Sequence, residues 1–353
     1  MHDNNNITPL KVCVKGIFEG ICKFSAELNI SKFNVTCYHE RMSEFSERIR
    51  EEWAMLMSVR QREFRQPDDI KAYRNIQYRE PEEYDYVNGW NLLDLYLPVT
   101  KARKYPVIMS FHGGSYVYGS KEMYQYYLMS LAQRGFAVVN FNYRLAPEYK
   151  FPAAFEDANC VIKWVKDHAD EYNLDYKNFF LVGDSCGAHY TALYSEICTN
   201  PEFSKMIGIK PVENFVPRGV GLNCGVYKVN WFFYLVSDFV SALEDVLGKK
   251  ALKSGVIDIN GKGVRLKDFI NIDKNFTKDF PPAYIVSGSY DFVRFQVKYI
   301  EKLFKKFNIP YKAKVYGTGK DKEAIHDFHA DLNCELSKEC NDDECNFFKS
   351  LCV

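Results

Sequence analysis

The sequence predicts an α/β fold: a mostly parallel central sheet flanked by helices on both faces. Three observations carry this. Short apolar runs recur from about Tyr73 onward, beginning with Leu93, Leu95 and Leu97 and continuing through PVIMSFHGG (from Pro106), FAVVNFNYR (from Phe136), FFLVGDS (from Phe179), VGLNCGVY (from Val220), AYIVSGSYD (from Ala283) and YKAKVYG (from Tyr311). Several are apolar at consecutive positions rather than at alternate ones, as strands covered on both faces require. Helical patterns separate them, such as Phe155, Ala158, Ile162, Val165 and Ala169. Strand and helix in alternation give parallel neighbours, because a parallel pair needs a crossover connection. In such sheets the reactive side chains sit on loops at the carboxyl ends of the strands.

Each segment follows from the same logic. The N-terminal segment, 1–70, reads as helical and as part of a cap; Phe45, Ile49, Trp53 and Leu56 recur at helical spacing and leave the charges opposite. The remainder, 71–353, reads as one α/β domain. Within it Asp94 and Tyr96 interrupt the leucines of a half-buried strand that Pro98 ends. The stretch 228–280 breaks the strand–helix rhythm with an aromatic cluster (Trp231, Phe232, Phe233, Tyr234) and a Gly/Lys-rich turn at Gly261 and Gly263. It is too long for an ordinary loop, so it is expected to be a structured insertion, completing a helical cap.

Composition excludes several classes. Forty-six basic residues balance 46 acidic ones in 353, giving no bulk attraction to nucleic acid. No apolar run is long enough for a membrane span, since Asp238 and Glu244 interrupt the best stretch. The cysteine count is odd, 11, and no basic region followed by an apolar run opens the chain, so reduced thiols and a cytoplasmic location are expected. The sequons at Asn29, Asn34 and Asn275 then carry no sugar. Cys334, Cys340, Cys345 and Cys352 show no C-x-x-C pair and read as thiols spread along a helix. No metal and no cofactor are expected, and oligomeric state is left open.

Two motifs carry chemistry. Gly183-Asp184-Ser185-Cys186-Gly187 follows an apolar strand and precedes a helical run, which is the strand–turn–helix context of a nucleophile elbow. A sharp turn lifts the serine oxygen clear of the backbone, and the flanking positions have no room for side chains. His112-Gly113-Gly114-Ser115 also follows an apolar strand. Read functionally, the amides of Gly113 and Gly114, with that of Cys186, form an oxyanion hole; read plainly, they are a glycine turn. His112 reads as support for that loop rather than as a base.

HGGSYVYGS, FNYRLAPEYKFPAAFEDA, GDSCGAH, PPAYIVSGSYD and His326-Asp327-Phe328 occur in this order. Together they resemble the hormone-sensitive-lipase-like branch of esterases on the α/β-hydrolase fold, over about Tyr73 to the C-terminus. The resemblance implies a serine carboxylesterase with a small-molecule ester substrate of small to medium acyl length, and Ser185, Asp291 and His326 as catalytic triad. Two departures from that pattern are Ser115, where a third glycine is usual, and Cys186, where alanine is usual. A low-pKa Cys186 thiol at a helix N-terminus is one reading; a small buried hydrophobe is the other. Rivals to the triad are His329 for the histidine and Asp184, Asp157, Asp321 or Asp327 for the acid, of which Asp184 and Asp157 read as structural. Arg144 and Glu148 read as a structural ion pair. A deacetylase or feruloyl-type esterase on carbohydrate-linked acyl groups is the neighbouring reading, an amidase a weaker one, and a non-catalytic ligand receptor the reading from another class.

Overall fold

The computed structural model describes residues 43–60, 64–80, 89–100, 104–229, 237–259 and 261–353. Trp231, Phe232, Phe233, Tyr234, Asn29 and Asn34 lie outside the described residues, as do the side chains of Phe45 and Leu56.

The elements run in chain order. Helix α1 spans Glu44–Arg60, followed by strands β1 (Ile70–Gln77), β2 (Leu92–Pro98) and β3 (Tyr105–Phe111), helix α2 (Lys121–Gln133), strand β4 (Ala137–Phe141) and helix α3 (Ala153–Asp167). Strand β5 (Leu174–Asp184) leads into helix α4 (Cys186–Thr199), short helix α5 (Pro201–Ile207) and strand β6 (Gly219–Asn223). The stretch 228–280 holds helices α6 (Ser237–Leu247) and α7 (Lys249–Ser254), the antiparallel pair β7 (Val256–Ile259) and β8 (Lys262–Arg265), and helix α8 (Leu266–Ile270). Strand β9 (Ala283–Gly288), helix α9 (Phe295–Phe307), strand β10 (Tyr311–Tyr316) and helix α10 (Glu335–Leu351) complete the chain.

Eight strands form one sheet in the order β1-β2-β4-β3-β5-β6-β9-β10. Only the β1–β2 and β2–β4 pairs are antiparallel; from β4 to β10 all neighbours are parallel. The predicted mostly parallel sheet is therefore the observed one. Strand β1 is an addition to it: this edge strand carries mostly polar or half-exposed residues and a bulge at Asn75, so it lacks the apolar signature of its neighbours.

The runs are apolar at consecutive positions because each strand feeds two cores. Val107, Met109 and Phe111 of β3 pack on one face with Phe155, Ile162 and Leu193 from α3 and α4, whereas Ile108 packs on the other with Leu128 and Leu131 of α2 and Phe348 of α10. The C-terminal cysteines follow: Cys340 and Cys345 lie on the buried face of α10, packed in that second core.

Helix α1 and the insertion meet. Asp245 of α6 accepts hydrogen bonds from the Ser43 amide and hydroxyl (2.7 Å for the latter) and from the Ser46 hydroxyl, satisfying the first turn of a helix about 200 residues away.

Candidate active site

The elbow sits where β5 ends. Ser185 adopts φ 53° and ψ −118°, a conformation that costs a side-chain-bearing residue about 1–3 kcal/mol. The surroundings hold it there. A Cβ on Gly183 would lie 2.3 Å from the Gly187 carbonyl oxygen, and one on Gly187 would lie 2.1 Å from that of Phe111. The two flanking glycines thus let β3, the turn and α4 close on one another, and the Ser185 amide is anchored on the Asn223 carbonyl at 2.9 Å.

Ser185, Asp291 and His326 leave the carboxyl ends of β5, β9 and β10, and the sheet brings them together. His326 Nε2 lies 2.9 Å from Ser185 Oγ, and Nδ1 lies 2.9 Å from Asp291 Oδ1. With Nδ1–H donated to the carboxylate, Nε2 presents its lone pair to the serine hydroxyl. Asp291 also accepts from the Val293 amide and the Ser287 hydroxyl. Burial alone would raise its pKa, but the His326 charge and these hydrogen bonds hold it below the ordinary value.

The HGGS loop departs from expectation in one respect. The Gly113 amide does not point to open space: it donates to Asp184 Oδ1 at 3.1 Å and approaches the Tyr124 hydroxyl at 3.2 Å. Gly113 is therefore corrected from an oxyanion donor to the tie that fastens this loop to the elbow. A Cβ there would fall 2.3 Å from Asp184 Oδ2, so the glycine is needed for the approach. Among the described residues the amides of Gly114 and Cys186 have no such acceptor and stay available. Gly114 carries φ 123°, and Ser115 and Tyr116 also have positive φ, so the loop curls tightly before α2.

Buried rings brace the loop. His112 stacks on Tyr143 at 4.2 Å and donates from Nδ1 to the Gly113 carbonyl; burial pushes its pKa down to about 4, leaving it a neutral support. Tyr116 bonds His189 Nδ1 at 2.8 Å, and His189 Nε2 bonds the Ile270 carbonyl at 2.9 Å. His189, unremarked in the sequence, thus joins the loop to α8 of the insertion. Arg50 of α1 donates to the Val117 carbonyl (2.7 Å), to the Ala146 carbonyl (2.8 Å) and to Glu148 (2.7 Å). No sequence pattern links Arg50 to a partner 98 residues on, so only the fold reveals this contact.

The expected Arg144–Glu148 pair is likewise corrected. Arg144 binds Asp157 at 3.0 Å and Glu156 at 2.7 Å, while Glu148 faces Arg50. Helix α3 presents those two carboxylates to the Arg144 loop, which sequence neighbours cannot do. Asp157 is structural, as expected. Asp321 caps a turn through the Thr318 amide and hydroxyl, so its carboxylate is committed there. His329 is fully buried against Tyr127, its pKa pulled down by burial to about 3. Asp327 is different: its Oδ2 lies 3.4 Å from His326 Nε2. Cys186 is buried, burial raises its thiol pKa, and the Tyr116 amide donates to its sulfur at 3.2 Å. That environment is the small buried hydrophobe of the two readings. Among the described residues none of Cys334, Cys340, Cys345 and Cys352 joins a three-residue cluster of metal-ligand type.

Comparison with known proteins agrees with this architecture. Esterase B of Lactobacillus rhamnosis superposes with a TM-score of 0.75 at 22% identity, covering 88% of this chain and 97% of that one. An esterase of Pyrobaculum calidifontis gives 0.66 at 20% identity over 95% and 97%. In sequence, tuliposide A-converting enzyme 2 of Tulipa gesneriana is 35% identical over 119 residues, 29% of this chain and 31% of the tulip protein. Arylacetamide deacetylase of Bos taurus is 36% identical over 108 residues, 29% and 27% of the two chains. The chain thus matches about a third of the length of these curated relatives. The BD-FAE family profile matches residues 93–293, from β2 through the Asp291 loop and more than half of the chain. The chain belongs to the BD-FAE family and has the α/β-hydrolase fold.

Proposed function

We propose that the protein is a carboxylic-ester hydrolase that acts through an acyl-enzyme on Ser185. The observation that carries this reading is the Ser185–His326–Asp291 line, with 2.9 Å at each step. His326 Nε2 takes the serine proton as Oγ bonds the acyl carbon, then returns it to the alkoxide as the C–O bond breaks. Water repeats the sequence and releases the acid. Asp291 holds the reactive tautomer and stabilises the imidazolium. The Gly114 and Cys186 amides receive the oxyanion, the second at the positive end of α4. The names of the matched proteins, mostly esterases, support ester chemistry over a ligand receptor without catalysis; arylacetamide deacetylase is named for an amide, so amide cleavage by the same acyl-enzyme is the second reading.

Substrates in this reading are esters of small to medium acyl chains, with α1 and the 228–280 insertion as the cap. The odd cysteine count, 11, supports placing it in a reducing compartment, the cytoplasm. The test is a chromogenic ester panel of increasing acyl length on the wild type and on Ser185→Ala. Wild-type turnover is expected to fall by about 10⁴-fold or more in the variant. Undiminished turnover would refute the nucleophile.

A further inference from the structure

The Nε2 edge of His326 faces two oxygens. Ser185 Oγ is 2.9 Å away and Asp327 Oδ2 is 3.4 Å away. These two neighbours want different things from one nitrogen. The serine hydroxyl needs a bare lone pair to receive its proton, whereas a carboxylate repels a lone pair and attracts N–H⁺. Asp327 is fixed in place by a left-handed backbone, φ 57° and ψ 28°, immediately before the buried Phe328 and His329.

We propose that Asp327 is a second carboxylate of the active site, opposing Asp291 across the imidazole, and that it sets the pH at which His326 becomes a usable base. This deepens the esterase reading and rests on it. Of the other titratable groups around the ring, Asp184 also favours charge on it, but less than Asp327 and Asp291 do. Burial, then the neighbouring Asp327 charge, push the Asp184 pKa well above its ordinary value, so this carboxyl resists ionising. Burial also raises the Cys224 thiol and holds His329 neutral. The ring of Phe292, 4.6 Å from that of His326, brings no charge. The imidazole is therefore flanked by two carboxyl groups, Asp291 at Nδ1 and Asp327 at Nε2.

The electrostatics point the same way. Burial works against charge on His326, but Asp327 and then Asp291 outweigh it and lift its pKa to about 9. Catalysis needs the neutral ring, so kcat/KM should climb with pH through that value. In exchange, the same carboxylate stabilises the imidazolium present in both tetrahedral transition states. Asp327 takes up no proton: the serine proton passes to Nε2 and on to the leaving alkoxide.

The decisive experiment is the pH profile of kcat/KM for Asp327→Asn, followed by pH-stat on a short-chain ester such as tributyrin. Asparagine tolerates the left-handed conformation, as does glycine, so Asp327→Gly serves as the second uncharged variant. Removing one charge at 3.4 Å is expected to lower the acid-limb pKa by roughly one to two units, raising kcat/KM at pH 7 by about 3- to 20-fold once the slower plateau is included. On the alkaline plateau the variants should be slower than wild type by a few fold, so the profiles cross. An acid limb unmoved in both variants overturns the proposal, whatever the absolute rates. Wild-type turnover surviving Ser185→Ala would instead overturn the nucleophile and leave the Asp327 measurement without its premise, so the two failures are distinguishable.

Discussion

Arg50 offers a direct test of whether α1 is coupled to the catalytic loop. Its guanidinium spans the Val117 carbonyl, the Ala146 carbonyl and Glu148, at 2.7, 2.8 and 2.7 Å. Hydrogen bonds from a charged donor contribute about 1.5–3 kcal/mol each, and the two to the carbonyls dominate. The Glu148 pair is a quarter exposed and adds less than about 1 kcal/mol. Against this stands about 2 kcal/mol of rotamer entropy released when the side chain is removed. Arg50→Met should therefore loosen α1 by about 1–4 kcal/mol, which is a roughly 5- to 1,000-fold faster local opening of its amides in hydrogen exchange. The Val117 and Tyr118 amides bond the Gly114 carbonyl at 3.1 and 2.9 Å, so slack at Val117 reaches Gly114, the donor of the proposed mechanism. A kcat about tenfold lower with KM little changed should accompany the exchange. Unchanged protection across 44–60 would refute the reasoning; altered protection with unaltered kcat would confine it to docking.

Two further outcomes follow from buried groups. Glu344 lies wholly buried under Gly221, with Asn223 Nδ2 donating to it at 3.1 Å; burial raises its pKa from 4.5 to about 7. The unfolded chain releases this proton first, so the folded state binds more protons between those pH values and stability falls as pH rises through that window, by about 3 kcal/mol in all. Urea titrations should find Glu344→Gln free of that loss, with its advantage over wild type growing from pH 4 to pH 8; parallel pH dependences would refute it. Cys186, buried with a raised pKa, should escape iodoacetamide at pH 8 in the native protein and react only in urea. Rapid native labelling mapped to that peptide by mass spectrometry would show the reading to be wrong.

Much of the fold was legible because burial on both faces leaves a mark in the residues themselves. Val107 to Phe111 and Phe179 to Val182 have no polar face to show except Ser110, and both form inner parallel strands. β1 left no such mark, being an edge strand. The β7–β8 pair is short, and its mark in the sequence is the turn at Gly261, where Asn260-Gly261 between two short alternating runs is a recognised hairpin signal. Ser185 could be named from its strand–turn–helix context, and Asp291 and His326 from the ordered motifs that resemble those of an esterase family. Gly113 was misread because residue type cannot tell which way an amide points; that depends on Asp184 and Tyr124 reaching it from other elements. Arg144, Arg50 and Asp327 share this limit, since each takes its role from a partner placed by tertiary structure.

His189 has a consequence of its own. One neutral ring accepts from Tyr116 and donates to Ile270, with its pKa lowered by burial to about 4. One imidazole thus links α8 to the loop that carries Gly114 and Tyr116, and displacing α8 would either carry Tyr116 along or leave a buried ring nitrogen without its partner. The position of α8 and the curl of the turn two residues after Gly114 are thereby tied together, and a substitution that shifts one is expected to be felt at the other.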